Sequence, residues 1–124
     1  MLMASPTQLR GNIAENAALH YLQKKRLILV TRNFRCKLGE IDLIMQDTAT
    51  LVFIEVRCRN HAQYGNGADS ITIAKQQKIL RAASLYLLQK QRHSTPECRF
   101  DVVSVSGLPP AAKITWIKSA FLVE

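Results

Sequence analysis

Two acidic residues, Asp42 and Glu55, lie in stretches that alternate with a period of two, within residues 39–57, GEIDLIMQDTATLVFIEVR. Such alternation marks β-strands, and Asp47-Thr48-Ala49-Thr50 between them is turn-compatible. A tight turn centred on Thr48 and Ala49 sets Met45 opposite Val52, Leu43 opposite Ile54 and Ile41 opposite Val56, an apolar face. The other face pairs Gln46 with Leu51, Ile44 with Phe53, Asp42 with Glu55 and Glu40 with Arg57. Residues opposed in this way carry Cβ atoms roughly 4.5–5.5 Å apart, where two carboxylates repel unless positive charge lies between them. A divalent cation supplies that charge, and an oxygen-only donor set without His or Cys suits Mg²⁺ or Mn²⁺. Two solvated carboxylates give the same pattern, as does a carboxylate neutralised by Arg57 or Arg59, and a one-residue slip of register separates the pair.

The elements around the hairpin decide what joins it. Ser5-Pro6-Thr7-Gln8 has the form of a capping box with Pro at the first helical position, so a helix is expected from there to about Lys25. Its apolar stripe reads Leu9, Ile13, Ala17 and Tyr21, flanked by Ala14, Ala18 and Leu22. Glu15 borders the stripe; its neighbours at i+3, i+4 and i+7 are Ala18, Leu19 and Leu22, which places it facing the sheet or on a solvated flank. Gly11 is a poor helix-interior residue and suggests close approach to the sheet or a ligand. Leu27 to Asn33 form a short strand, and Arg32, Arg35 and Lys37 stand just before the hairpin as either a solvated edge or a phosphate-contacting rim.

Beyond Arg57, residues 59–69 lose periodicity and read as a long loop in which Arg59, His61 and Tyr64 offer phosphate contacts and a stacking ring. Ser70 or Thr72 caps a second helix whose inner face carries Ile79, Ala82, Ala83, Tyr86 and Leu87, up to about Gln89. Lys75, Lys78 and Arg81 form a ridge on it, either solvated or a phosphate track. Arg99 to Ser106 is a strand that returns parallel to residues 51–58 and puts Asp101 in the sheet. Lys113 to Trp116 form a last strand, with Trp116 and Phe121 as core residues.

The 124 residues fit a single α/β domain, 1–124, with a mixed central sheet of four or five strands flanked by helices. Seventeen Lys and Arg against nine Asp and Glu give a net charge of +8, which favours a polyanionic partner, nucleic acid first. Apolar runs are short and no signal sequence is evident, so a cytoplasmic protein with no membrane partner is expected. Cys36, Cys58 and Cys98 are odd in number and widely spaced, which indicates neither a disulfide framework nor a zinc site.

Gly39-Glu40-Ile41-Asp42-Leu43-Ile44 followed by Val52-Phe53-Ile54-Glu55-Val56-Arg57 resembles the YraN-like family of small bacterial proteins. The resemblance extends through Gly11 to Glu15, Asn33, Ser70 to Lys78, Arg99 to Val103 and Trp116 to Phe121. That family is similar to the Holliday-junction resolvases of the PD-(D/E)XK nuclease superfamily. The resemblance implies a restriction-endonuclease-like fold, a metal site on Glu15, Asp42 and Glu55, and Arg57 where the motif carries Lys. Arg59, Lys75, Lys78 and Arg81 are then the candidate nucleic-acid contacts.

Three functions compete. The first is a Mg²⁺- or Mn²⁺-dependent endonuclease acting on DNA, including branched DNA. The second is a nucleic-acid-binding module that keeps the fold without useful catalysis. The third is an adaptor whose basic charge is incidental. Homodimerisation is left open.

Overall fold

The computed structural model describes residues 5–59, 71–90 and 97–121. The capping box forms as its residues dictate: Gln8 N donates to Ser5 Oγ at 3.1 Å, and Ser5 N donates to Gln8 Oε1 at 2.9 Å. Helix α1 runs Pro6–Lys24 from this cap, which contributes about 1 kcal/mol. Its buried line is Ala14, Glu15, Ala18, Leu19 and Leu22, while Leu9 and Ile13 are exposed. The helix is thus turned by about one residue, roughly 100°, from the stripe expected. The small side chains of Ala14 and Ala18 explain the rotation, because they let the helix backbone come closer to the sheet than Leu9 and Ile13 would.

Five strands form one sheet in the order β1-β2-β3-β4-β5: β1 Ile28–Cys36, β2 Gly39–Asp47, β3 Thr50–Arg59, β4 Glu97–Ser106 and β5 Lys113–Ile117. Helix α2, Ile73–Gln89, connects β3 to β4, which pair in parallel; the other three pairings are antiparallel. Thr72 caps α2, its hydroxyl accepting from Lys75 N at 3.1 Å. This is the mixed α/β sheet flanked by helices that the residue pattern implies, with the hairpin and the parallel return where expected.

Each helix covers one face. Leu43, Met45, Val52, Ile54, Val103 and Val105 pack with Ala14, Ala18, Leu19 and Leu22 of α1. Ile41, Ile44, Leu51, Phe53 and Phe100 pack with Ile79, Ala82, Ala83 and Tyr86 of α2. Phe53 stacks on Phe100 and Phe100 on Phe121, each at 5.2 Å between ring centroids. Burying one such side chain contributes about 1.5–3 kcal/mol, so Phe121 ties the chain after β5 firmly to the sheet. Among the described residues, no helix is long and apolar enough to cross a membrane.

The hairpin register is the one derived from alternation: Leu43 faces Ile54, Ile44 faces Phe53, Met45 faces Val52 and Gln46 faces Leu51. Thr48 takes a positive φ of 56° in the two-residue turn, as such turns require. Beyond Leu43 and Ile54 the ladder stops. Ile41 does not continue the apolar face of Leu43 and Met45; it packs with Phe34 on the α2 side. The switch coincides with Asn33 on β1, whose φ of 52° lies in the left-handed region that Asn tolerates better than most residues.

Toward the turn end of the hairpin, Asp101 is fully buried and saturated. It accepts from Arg99 Nε and Ser119 N at 2.9 Å on Oδ1, and from Trp116 Nε1 at 2.9 Å and Arg99 Nη2 at 3.0 Å on Oδ2. Arg99 Nη2 also reaches Asp47 Oδ2 at 3.0 Å. One carboxylate therefore joins β4, β5, the turn after β5 and the hairpin.

Candidate functional site

Where the β2–β3 ladder ends, a cavity of about 430 Å³ opens between the sheet and α1, lined among others by Asn12, Glu15, Asn33, Glu40, Asp42 and Cys58. Gly11 borders it too, but a Cβ there would meet nothing within 4 Å. The close approach to the sheet expected at Gly11 is therefore absent. Asp42 stands at the cavity's inner end, its Oδ2 accepting from Val56 N at 2.8 Å. The carboxylate takes the donor that a ladder carbonyl would otherwise use, and this is what parts the strands.

Burial pushes the Asp42 pKa from the ordinary 3.8 up to about 7, with the charge of Glu55 adding to it and that of Glu15 adding less, against the opposing pull of the Val56 amide. The three acids therefore share one electrostatic site. Each of the other two is held by a cation of the chain. Glu55, 6% exposed, meets Lys75 Nζ of α2 at 2.6 Å from Oε1. Glu15, 8% exposed, receives three N–H groups on Oε1: Arg32 Nη2 at 2.9 Å, Arg32 Nε at 3.2 Å and Asn33 Nδ2 at 3.1 Å.

Three carboxylates with water are a donor set suited to Mg²⁺ or Mn²⁺. As the side chains stand, however, no three acidic, His or Cys groups among the described residues are arranged to hold a metal ion. The donor chemistry fits the expected cation.

The remaining expected residues divide. Arg57 is half-buried on β3 and forms no ion pair among the described residues. Its expected cross-strand partner, Glu40, pairs instead with Arg35 at 3.4 Å, both exposed. Arg32 is turned inward to Glu15 and to Asn16 Oδ1 at 2.8 Å, so it does not form an outer rim. Arg59 ends β3. Lys78 and Arg81 are exposed on α2, whereas Lys75 is drawn in to Glu55. His61 and Tyr64 lie outside the described residues, as does the loop that carries them.

Three features escaped the sequence. The inward role of Lys75, the Arg32–Asn33 cradle for Glu15 and the Val56 amide under Asp42 all depend on contacts between residues 14 to 20 positions apart. No local spacing signals such contacts. Only the i+3 and i+4 environment of Glu15 gave a hint, by directing it toward the sheet.

The fold and the site together define an α/β domain whose central acidic hairpin leads through a helical crossover into a parallel strand, with Glu15 and Asp42 lining a cavity under the first helix and Glu55 held from the second. The family model described as "Uncharacterised protein family UPF0102" matches residues 14–105, and the chain belongs to that family. This is the YraN family, so the membership expected from the hairpin residues is borne out. The chain is 49% identical over 122 residues to a UPF0102 protein of Pseudomonas putida strain W619, covering 98% of each. It is 50% identical over 117 residues to one of Nitrosospira multiformis, covering 94% of this chain and 96% of the relative. A Nitrosococcus oceani relative is 48% identical over 115 residues, 93% of each.

Proposed function

We propose that this chain binds nucleic acid, DNA foremost, and carries a divalent-cation phosphodiesterase site on Asp42, Glu55 and Glu15. The observation that carries the reading is the nearness of these three carboxylates: Asp42 and Glu15 line one cavity, and Glu55 lies close enough that it and Glu15 both raise the Asp42 pKa. Burying like charges together is costly without a counter-charge, and such arrangements cluster at functional sites. A bound Mg²⁺ or Mn²⁺ would supply the charge that polarises a phosphate and activates water.

The chain's own residues supply the rest. Asp42 and Glu55 fix the cation against β2 and β3, and the Val56 amide keeps Asp42 oriented. Exposed Lys78 and Arg81 on α2, together with a net charge of +8, favour a phosphate backbone nearby. Arg57 can bind phosphate through its planar fork but stays protonated at ordinary pH, so it cannot act as a base. That supports a second reading, a binding module with weak catalysis.

A cleavage assay with Mg²⁺ and with Mn²⁺ on duplex, flapped and four-way DNA separates the two. Slow metal-dependent cleavage lost in Asp42→Asn supports the phosphodiesterase. Salt-dependent binding without cleavage leaves the binding module, and absence of both binding and cleavage rejects both.

A further inference from the structure

Glu55 is held by a group in an unfavourable place. Lys75 sits in the first turn of α2, which carries no acidic residue, and a cation there opposes the helix macrodipole. Its ammonium nonetheless lies 2.6 Å from Glu55 Oε1, with the Lys75 side chain 44% exposed and that of Glu55 only 7% exposed. The cation is thus open to water while the acid is almost closed off from it. Gly39 permits this placement: a Cβ there would come within 3.1 Å of Lys78 O and 3.3 Å of Lys78 Cβ. The glycine therefore lets β2 and α2 approach closely one turn from Lys75.

Arg32, the other cation of the site, is anchored differently. It bonds both Glu15 and Asn16 across 2.8–3.2 Å with a rigid fork. Lys75 makes one ion pair among the described residues, on a flexible four-carbon stem. Of the two, it is the one that can leave without dismantling a network.

We propose that Lys75 is a built-in counter-ion that occupies the acidic site until a divalent cation displaces it, and that nucleic-acid phosphate takes up the released ammonium. This rests on the cation-site reading above. Lys75 neutralises the Glu55 charge that would attract a metal, so the two cations compete for that charge. A phosphate that captures the freed ammonium removes the competitor. Metal and nucleic acid then bind with positive coupling, and by linkage each strengthens the other by the same factor.

The test is calorimetric titration of Mn²⁺ into the full chain and into Lys75→Met, with and without a short DNA duplex, both proteins checked for a cooperative thermal transition. Without DNA, Lys75→Met binds Mn²⁺ about tenfold more tightly than the parent, and DNA tightens the parent by about tenfold while barely changing the variant. Lys75→Arg keeps the coupling, and Lys24→Met, the same charge change at the far end of α1, leaves Mn²⁺ affinity alone. Should Lys75→Met fail to fold, Lys75→Gln takes its place. Equal or weaker Mn²⁺ affinity on removing the Lys75 charge overturns the counter-ion role while leaving the metal site standing. No Mn²⁺ binding by parent or variant, with or without DNA, overturns both.

Discussion

The backbone amide of Val56 donates to Asp42 Oδ2 at 2.8 Å, one step past Leu43 and Ile54, where the pairing of β2 with β3 ends. A side chain that intercepts a ladder donor parts two strands without leaving the amide unsatisfied. The same bond draws Asp42 into a buried position beside Glu55, so the cavity and the raised pKa have one origin.

That origin makes stability pH-dependent. Below about pH 4, Asp42 is protonated in the folded and unfolded chains alike and has no effect. Between the ordinary 3.8 and about 7 only the unfolded chain ionises, so stability falls with rising pH by up to roughly 1.4 kcal/mol per unit. Above about 7 the loss is complete. Asp42→Asn keeps an acceptor for Val56 and removes the charge. Urea unfolding should show it more stable than the parent at pH 8 and nearly equal at pH 4; a variant weaker than the parent at both would contradict this origin.

Asp101 belongs to the scaffold rather than the site. Asp101→Ala leaves Arg99 and Trp116 without their shared acceptor, and breaking a buried ion pair from one side costs about 3–5 kcal/mol. Denaturant midpoints should fall accordingly, while Mn²⁺ affinity measured well below the melting temperature stays that of the parent.

Much of this was legible in the residues. Period-two alternation from Ile41 to Val56 with a two-residue turn led to the observed register, because one buried face on each side penalises a slip. Ser5 and Gln8 marked the start of α1 through local bonds alone. Alternation failed at Ile41, where β2 changes face beside a left-handed Asn33 on β1 while β3 keeps Val52, Ile54 and Val56 on one side; a periodic pattern shows no such switch. The α1 stripe was misplaced because hydrophobicity favours Leu9 and Ile13, whereas contact with the sheet favours the small Ala14 and Ala18. Glu40 opposite Arg57 followed from a ladder that does not extend so far.

The approach of β2 to α2 is checked at Gly39. In Gly39→Ala the new Cβ meets Lys78 O at 3.1 Å, backbone that cannot move alone. A loss of about 1–3 kcal/mol is expected from this overpacking, read from thermal or urea unfolding; a variant as stable as the parent would show that the helix shifts freely.

Nucleic-acid binding is expected to depend on α2 and Arg57. Replacing Lys78 and Arg81 with Glu should weaken DNA binding and lower the salt slope by about two, since each phosphate left without its cation removes about 0.9 from the slope. Arg57→Ala should weaken binding also, and Arg57→Lys should raise cleavage by supplying an ammonium that can shed its proton. Unchanged affinity and slope in the Lys78 and Arg81 double variant would place the DNA surface elsewhere.

The central claim is that Asp42 and Glu55 together hold a divalent cation, and Mn²⁺ titration calorimetry of the parent and the double variant Asp42→Asn with Glu55→Gln, at pH 8 with duplex DNA present, tests it most directly. One bound ion is expected in the parent. No binding is expected in a double variant that remains folded, since the change relieves a like-charge pair. Equal Mn²⁺ affinity in the two proteins, or none in the parent, would contradict the claim.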